Sequence, residues 1–344
     1  MGKSLLVTVI KSTLQNAGPK APMDICRILE QTDDIECVTF STYGGNDFPV
    51  YLDMLDLLHK AVRSERKVIL QYPMQPFAYH EKQAEFSRLL EVLQPKNTII
   101  LLHDINHIRF QNRKVYCHEM KWLGRFRYFI VHNQHMEHYL RNIIPDCQCL
   151  NMELFDYICE GNRKRMQGEY QETKKLEIVF AGNLSTDKAA FLYELEEEKM
   201  HFYLNLYGKK AGSITNKNIR YMGSVDAEKL PNQITGNLGL IWDGQTDALL
   251  DTSQERQYTR YNTPHKFSCY IAAGIPVIAW KDAAIADVIC KYQVGYLIEN
   301  IYEINKIDLS CYEKFCENAK TLAEKVRSGY FTRQVFSALQ QMED

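Results

Sequence analysis

The chain reads as an α/β protein made of two Rossmann-like halves, and three observations lead there. Short apolar runs of strand character alternate with segments whose apolar residues recur at helical spacing. The alternation stops at a polar stretch over residues 160–175 and then starts again. The length of 344 residues accommodates two domains at about 100–200 residues each.

In the first half, residues 5–10 form a compact β-rich run, followed by a polar loop over residues 11–22 that contains Gly18, Pro19 and Pro22. A helical pattern then runs through Ile25, Ile28 and Leu29. Residues 37–40, 67–71, 98–102 and 127–131 read as strands, and residues 51–62, 80–93 and 136–143 as helices. Strands that are apolar throughout, rather than alternating, predict a mainly parallel sheet covered on both faces. The polar stretch 160–175 is the expected linker. Expected domains are residues 1–158 and 174–328.

The second half repeats the pattern. A strand at residues 177–180 ends in the turn Ala181-Gly182-Asn183, and residues 189–195 are helical. A strand at 202–206 is closed by Tyr207-Gly208, and one at 238–242 ends at Asp243. Residues 261–280 are the most informative segment. Asn262 and Thr263 are N-cap types, and Pro264 suits the first helical position. His265 and Lys266 then fall in the first turn, Gly274 takes a left-handed C-terminal position, and Pro276 prevents continuation. Residues 277–280 are apolar enough for a core strand, and a helix is expected near 284–289. Residues 312–326 form an amphipathic helix, with a break at Ser328-Gly329 before a last helix over 330–339.

Composition narrows the function classes. A hydrophobic content of 45% and a charged content of 24% suit a globular protein with a sizeable core. A net charge of −2 argues against a nucleic-acid binder driven by bulk charge. There is no apolar run of about 18 residues, and Met1-Gly2-Lys3-Ser4 leads straight into a strand rather than into a secretory signal. The ten cysteines are dispersed without a C-x-x-C pair, as expected of small buried hydrophobes in a reducing compartment. The cytoplasm is the expected location. The 21 tyrosines divide between core positions and faces able to stack on sugar rings.

Several residues sit where α/β proteins bind ligands, beyond the carboxyl ends of strands. The helix start at His265-Lys266 offers unpaired N–H groups, the positive end of the dipole and an ammonium, which together favour an anion. An ordinary capped helix is the alternative. Gly182-Asn183 is either a plain βα turn or a point of close backbone approach by a ligand. Tyr207 is either a core aromatic or a stacking surface for uracil. His103-Asp104 ends an apolar strand: Asp104 is a general-base candidate or the partner that orients His103, or simply a helix cap. His107 and His118 lie near enough in sequence to raise a metal cluster, but the spacing matches no zinc signature. His132, His135 and His138 drift by roughly 60° around a helix over six residues and read as solvent-facing. Residues 243–260 form a long connection of the kind that serves as a lid, with Asp243, Glu255 and Arg260 available to a sugar.

These segments resemble a bacterial glycosyltransferase family. It includes the β-1,6-galactofuranosyltransferases of surface polysaccharide synthesis and the glucosyltransferases that extend glycans on serine-rich repeat adhesins. The resemblance covers most of the chain. It is strongest at Ala181-Gly182-Asn183, at Gly239-Leu240-Ile241-Trp242 and from Asn262 to Pro276, and weaker at His103-Asp104 and Leu154-Phe155-Asp156-Tyr157. It implies a GT-B architecture, two Rossmann-like domains facing a central cleft, with the last helix (329–344) crossing back to the first domain.

The resemblance further implies nucleotide contacts at Gly182, Asn183, Tyr207, Asn262, His265 and Lys266. The loop after the first strand would face the acceptor, with Thr13, Asn16 and Gly18 as candidates; a mobile surface loop is the alternative. His103 and Asp104 are the catalytic candidates. No D-x-D triplet is present, and Lys266 would neutralise the leaving diphosphate without a metal or another cofactor. The donor is expected to be a UDP-sugar, galactofuranose before glucose, because the Asn-x-Pro-His-Lys form at Asn262 to Lys266 looks closest to galactofuranosyltransferases. The acceptor would be a lipid-linked or peptide-linked glycan.

Basic residues such as Arg109, Arg113, Lys114, Lys121, Arg125 and Arg127 read as ordinary solvated charges, with a patch for peripheral contact with the inner membrane face as the alternative, and a homo-oligomer is a further candidate. A phosphorylase or epimerase of the same fold, or a non-catalytic nucleotide- or glycan-binding protein that keeps it, are the rival readings.

Overall fold

The computed structural model describes residues 3–11, 18–42, 47–74, 83–110, 113–161, 175–209, 212–244 and 253–341. The chain divides into two compact units, residues Met1–Leu154 with Gly329–Asp344, and Phe155–Ser328. The polar stretch expected to be the linker lies largely outside the described residues.

The first unit runs β1 (Ser4–Lys11), α1 (Lys20–Leu29), β2 (Ile35–Thr42), α2 (Phe48–Arg63), β3 (Val68–Tyr72) and α3 (Gln83–Val92). It continues with β4 (Thr98–Leu102), α4 (Asn106–Phe110), α5 (Arg113–Leu123), β5 (Tyr128–Val131), α6 (Gln134–Ile143) and β6 (Gln148–Asn151). The described strands pair in parallel in the order β2-β1-β3-β4-β5-β6. Every residue of β3 and β4 is buried, as a sheet covered on both faces requires. Val7, Leu70 and Leu102 share one core with Met54, Leu58 and Phe86 of the flanking helices.

The second unit repeats the plan with β7 (Glu177–Ala181), α7 (Thr186–Ala189), α8 (Phe191–Glu194), β8 (Tyr203–Tyr207), β9 (Ile219–Gly223), α9 (Leu230–Gln233) and β10 (Leu238–Ile241). Then follow α10 (Gln254–Tyr258), α11 (His265–Ala272), β11 (Val277–Trp280), α12 (Ile285–Tyr292), β12 (Gly295–Ile298) and α13 (Tyr312–Ser328). Its sheet has the order β12-β11-β10-β7-β8-β9, again parallel. The last helix, α14 (Tyr330–Gln341), belongs to the first unit and packs on α1. Gly329 separates it from α13, and a Cβ there would lie 2.7 Å from Cγ1 of Ile28.

Each sheet has one place where the chain reverses its direction of growth: between β1 and β3 in the first, between β7 and β10 in the second. At such a switch point the two flanking loops diverge and leave a crevice at the strand ends.

Three local expectations change. The half-exposed edge strands β6 and β9 have no apolar run to announce them. The helix expected over 189–195 is two single turns, α7 and α8. Pro264 is the N-cap of α11 with an extended ψ of 133°, not its first helical residue, and it supplies no side-chain cap bond. Gly274 does adopt a left-handed φ of 67°. Among the described residues no helix is long and apolar enough to cross a membrane.

Candidate active site

In the second unit the polar residues converge on the β7/β10 switch point. Gly239 in β10 begins the arrangement. A Cβ there would lie 2.4 Å from the ring of Tyr270 on α11, so glycine is what lets that ring lie against the strand. The Tyr270 hydroxyl then accepts from the N–H of Ala181 (2.8 Å) and donates to the carbonyl of Leu240 (3.3 Å). Burial raises its pKa, so the hydroxyl stays protonated and able to donate. One side chain thereby ties α11 to the carboxyl ends of both strands.

That tie places Lys266, in the first turn of α11, over the crevice. Its Nζ donates to the carbonyl of Trp242 (3.1 Å) and to Oδ1 of Asp243 (2.6 Å), just past β10. It also stands 4.6 Å from the ring centroid of Phe180 in β7. Gly182 completes the site: a Cβ there would lie 3.3 Å from Lys266 Cε, so a side chain would press on the lysine stem. An ammonium, a helix N-terminus without a side-chain cap, and a bare backbone turn thus meet at one point. Each of these three features favours an anion, and in this structure Asp243 is the anion nearest the ammonium among the bonds of Lys266.

A pocket opens beside the Lys266–Asp243 pair, lined by Trp242, Asp243, Arg256, Thr259, Pro264 and Trp280 among others. Arg256 is only 2% exposed. Its guanidinium carbon stands 3.7 Å from the Trp242 ring centroid and 5.0 Å from that of Trp280, within cation–π range of both. Arg260 lies 4.5 Å over the other ring and pairs with Asp282 at 3.1 Å. Two of the chain's three tryptophans are therefore at this pocket. Sequence reasoning missed Arg256 and Trp280. The available signal was a lone Trp at the end of each of two neighbouring strands, with arginines in the polar connection between them.

The other residues expected around the nucleotide divide. Asn183 is exposed, and its Oδ1 accepts from the N–H of Ser185 (2.9 Å), which makes it the cap of the βα turn. Asn262 precedes α11, and its Oδ1 is buried with no hydrogen-bond partner. His265 packs on aromatic rings: it stacks on Tyr157 (centroids 4.7 Å apart, 23° between planes) and meets Phe155 edge-on. Ser268 of the same helix donates to the Phe155 carbonyl at 2.6 Å. The motif Phe155-Asp156-Tyr157 is thus a bed for α11.

Tyr207 is a correction. It is 4% exposed, and its hydroxyl is bonded to Oγ1 and to the N–H of Thr235, both at 3.1 Å. Strand β8 turns this ring into the core, so it has no face for uracil.

In the first unit, His103 follows β4 directly. Its Nε2 is 2.6 Å from Oε1 of Gln71, and its backbone N–H donates to Tyr72 (2.7 Å). Gln71 is thus a side chain that holds the Nε2 edge of the His103 ring. Asp104 accepts from Arg109 at 2.5 Å, an ion pair that occupies one of the basic residues considered for a membrane-facing patch. His107 is structural. Its Nδ1 bonds Glu119 (2.6 Å) and its Nε2 bonds the Tyr139 hydroxyl, while Glu119 also accepts from the Tyr72 hydroxyl (2.6 Å).

His132, expected to face solvent, is fully buried before α6 and bonds the Leu102 carbonyl through Nε2, and burial lowers its pKa to about 4. Among the described residues no three His, Cys, Asp or Glu side chains are grouped to hold a metal. Gly18 lies just before α1; Thr13 and Asn16 lie outside the described residues, as do residues 245–252 of the expected lid.

Residues 3–143 match the N-terminal domain, and residues 178–339 the C-terminal domain, of the family described as glucosyltransferase 3-like. The β-1,6-galactofuranosyltransferase WbbI of Escherichia coli (strain K12) is 27% identical over 331 residues, 93% of either chain. Glucosyltransferase 3 of Streptococcus gordonii is 28% identical over 137 residues, 38% of this chain and 40% of that one. Among solved structures, a sucrose-phosphate synthase from Thermosynechococcus elongatus superposes with a TM-score of 0.64 at 11% identity over 99% of both chains. The Anabaena protein HepE in complex with UDP-glucose gives 0.61 at 11% identity, over 98% of this chain and 99% of that one. These structural likenesses show the two-domain α/β GT-B fold.

Proposed function

We propose that this chain, which belongs to the glucosyltransferase 3-like family, moves a hexosyl group from a UDP-sugar to a hydroxyl of a glycan acceptor. The observation that carries the proposal is the Lys266 ammonium at the start of α11, held by Trp242 and Asp243 at the β7/β10 switch point. A nucleoside diphosphate fits this arrangement. Its β-phosphate takes the place next to the ammonium and the first-turn N–H groups, and the bare turn at Gly182 admits it without a clash.

In the reaction, the bond from the anomeric carbon to the diphosphate oxygen breaks. The diphosphate keeps the electron pair, and an acceptor oxygen bonds to that carbon. Lys266 and the helix dipole stabilise the charge that develops on the leaving group. Asp243, beside the same ammonium, is placed for a sugar hydroxyl, and the Trp242–Trp280 pocket with Arg256 for the apolar and anionic parts of the donor. The acceptor hydroxyl loses its proton to a base, and His103 fits that role better than Asp104, whose carboxylate is engaged by Arg109. No cofactor beyond the donor substrate is invoked.

Galactofuranose is the first donor choice, supported by the alignment with WbbI over 93% of both chains; glucose is second, supported by the shorter Streptococcus gordonii match. The acceptor is a lipid-linked or peptide-linked glycan, and the place of action is the cytoplasm. The test is a calorimetric panel of UDP, GDP, dTDP and CMP, followed by hydrolysis assays with UDP-galactofuranose and UDP-glucose. Selective UDP binding with slow turnover of one donor supports the reading and identifies the sugar. Failure to bind any nucleotide overturns it.

A further inference from the structure

A group of buried polar side chains in the first unit gathers at its own switch point, between β1 and β3, and forms a directional network. Thr8 sits in β1, Gln71 in β3 and Cys26 in α1, and all are buried. The Gln71 amide nitrogen donates to Oγ1 of Thr8 at 2.6 Å and to the carbonyl of Pro22 at 3.1 Å, and lies 3.6 Å from the Cys26 sulfur. The Pro22 carbonyl can only accept, so the NH2 end of the amide must face it. The amide oxygen therefore faces His103, 2.6 Å from Nε2. An amide oxygen also only accepts, so Nε2 must carry a proton.

From this bookkeeping we infer that Gln71 is a positioning residue. It fixes the ring of His103 with the proton on Nε2 and leaves Nδ1 as the basic nitrogen of the neutral imidazole. That the basic nitrogen serves an acceptor hydroxyl rests on the function proposed above; the tautomer itself does not.

The choice of an amide here has a chemical consequence. A carboxylate in the same place would also orient the ring, but it would favour the imidazolium and raise the His103 pKa. A neutral oxygen orients the ring without favouring the charged form. The surroundings agree. His132, whose ring centroid is 6.4 Å from that of His103, is itself kept neutral by burial. On α1, Lys20 and Asp24 neutralise each other in a buried pair. The Cys26 thiol is lowered to about 7, chiefly by the hydrogen bond from Cys37 and further by those from Thr8 and Thr39. The Asp104–Arg109 pair lies next along the chain. Gln71 thus stands between a nearby thiol and His103, donating towards the first and accepting from the second.

The test uses the full chain, with nitrogen-15 NMR of its histidines and two variants. Wild-type His103 should show the Nε2–H tautomer. Gln71→Leu, which keeps the volume and removes the acceptor, should give a mixed tautomer population. Its kcat should fall by roughly 10²-fold, the range in which a misplaced general base acts, while its UDP affinity stays at the wild-type value. Gln71→Glu restores the acceptor. It should recover the Nε2–H orientation and part of kcat, and the rising limb of the pH–rate profile should move upward by about one unit or more.

A His103 tautomer that is the same in Gln71→Leu as in wild type overturns the inference. A tautomer that changes while kcat and the pH profile do not would leave Gln71 as the orienting side chain and remove His103 from the chemistry. UDP affinity then reports separately on the donor site. A Gln71→Leu protein that is unfolded by circular dichroism is replaced by Gln71→Met, read in the same way.

Discussion

Replacing Lys266 by alanine acts on the donor site through two effects that can be separated. The direct loss is the charge-assisted hydrogen bond to the diphosphate, about 1.5–3 kcal/mol. The indirect loss comes from Asp243, which Lys266 neutralises at 2.6 Å. Without the ammonium, a carboxylate stands bare at about 5 Å from a bound phosphate, a repulsion of roughly 3 kcal/mol at an effective dielectric of about 20. Asp243 is 28% exposed, and solvent and salt reduce that repulsion to about 1 kcal/mol. The sum is about 2.5–4 kcal/mol, a rise in Kd for UDP of roughly 10²–10³-fold. Isothermal calorimetry measures it. The double variant Lys266→Ala/Asp243→Asn should bind UDP more tightly than Lys266→Ala, because only the direct loss of about 1.5–3 kcal/mol remains. Unchanged UDP affinity in Lys266→Ala would refute the donor site. Equal affinities in the single and double variants would refute the part given to Asp243.

Other outcomes follow from the same geometry. Gly239→Ala places a Cβ 2.4 Å from the Tyr270 ring and should destabilise the protein by about 1–3 kcal/mol in urea unfolding, with weaker UDP binding because α11 shifts. Tyr270→Phe leaves the buried N–H of Ala181 without its 2.8 Å partner; a loss of about 1–3 kcal/mol in the same assay is expected. His103→Ala should abolish transfer and spare UDP binding, whereas a fully active variant would return His103 to a structural role. His132 gives a pH dependence. Its folded-state pKa, lowered from 6.5 to about 4 by burial, lies below the unfolded value, so its contribution is complete above about pH 6.5 and declines as pH falls towards 4. That contribution reaches about 3 kcal/mol. His132→Asn should flatten the stability curve between those values, and an unchanged slope would show that the ring is charged in the native state.

The expected halves and most of their strands could be read from the chain because an apolar run is a local record of burial. Val68–Tyr72 and Thr98–Leu102 are buried along their whole length, and no tertiary knowledge is needed to see that they are core. The α11–β11 segment was legible for a similar reason, since Gly274 and Pro276 are local stop signals. Strands β6 and β9 were not, because an edge strand buries only part of its surface and its composition stays mixed.

The sites divide along the same line. The sequence alone marked Lys266 as a cation at a helix start, Gly182 as a turn and His103 as the end of an apolar strand. Whether Tyr207 faced a ligand or the core depended on the direction of a strand side chain. That Gln71, 32 positions earlier in the chain, holds the His103 ring depended on the packing of β3 beside β4. Trp242, Arg256 and Trp280 come together because α10 packs at the carboxyl ends of β10 and β11. Residue type and spacing record what a segment buries and where it stops. Which segments converge at a switch point follows from strand order, and strand order is settled by the packing of the whole domain.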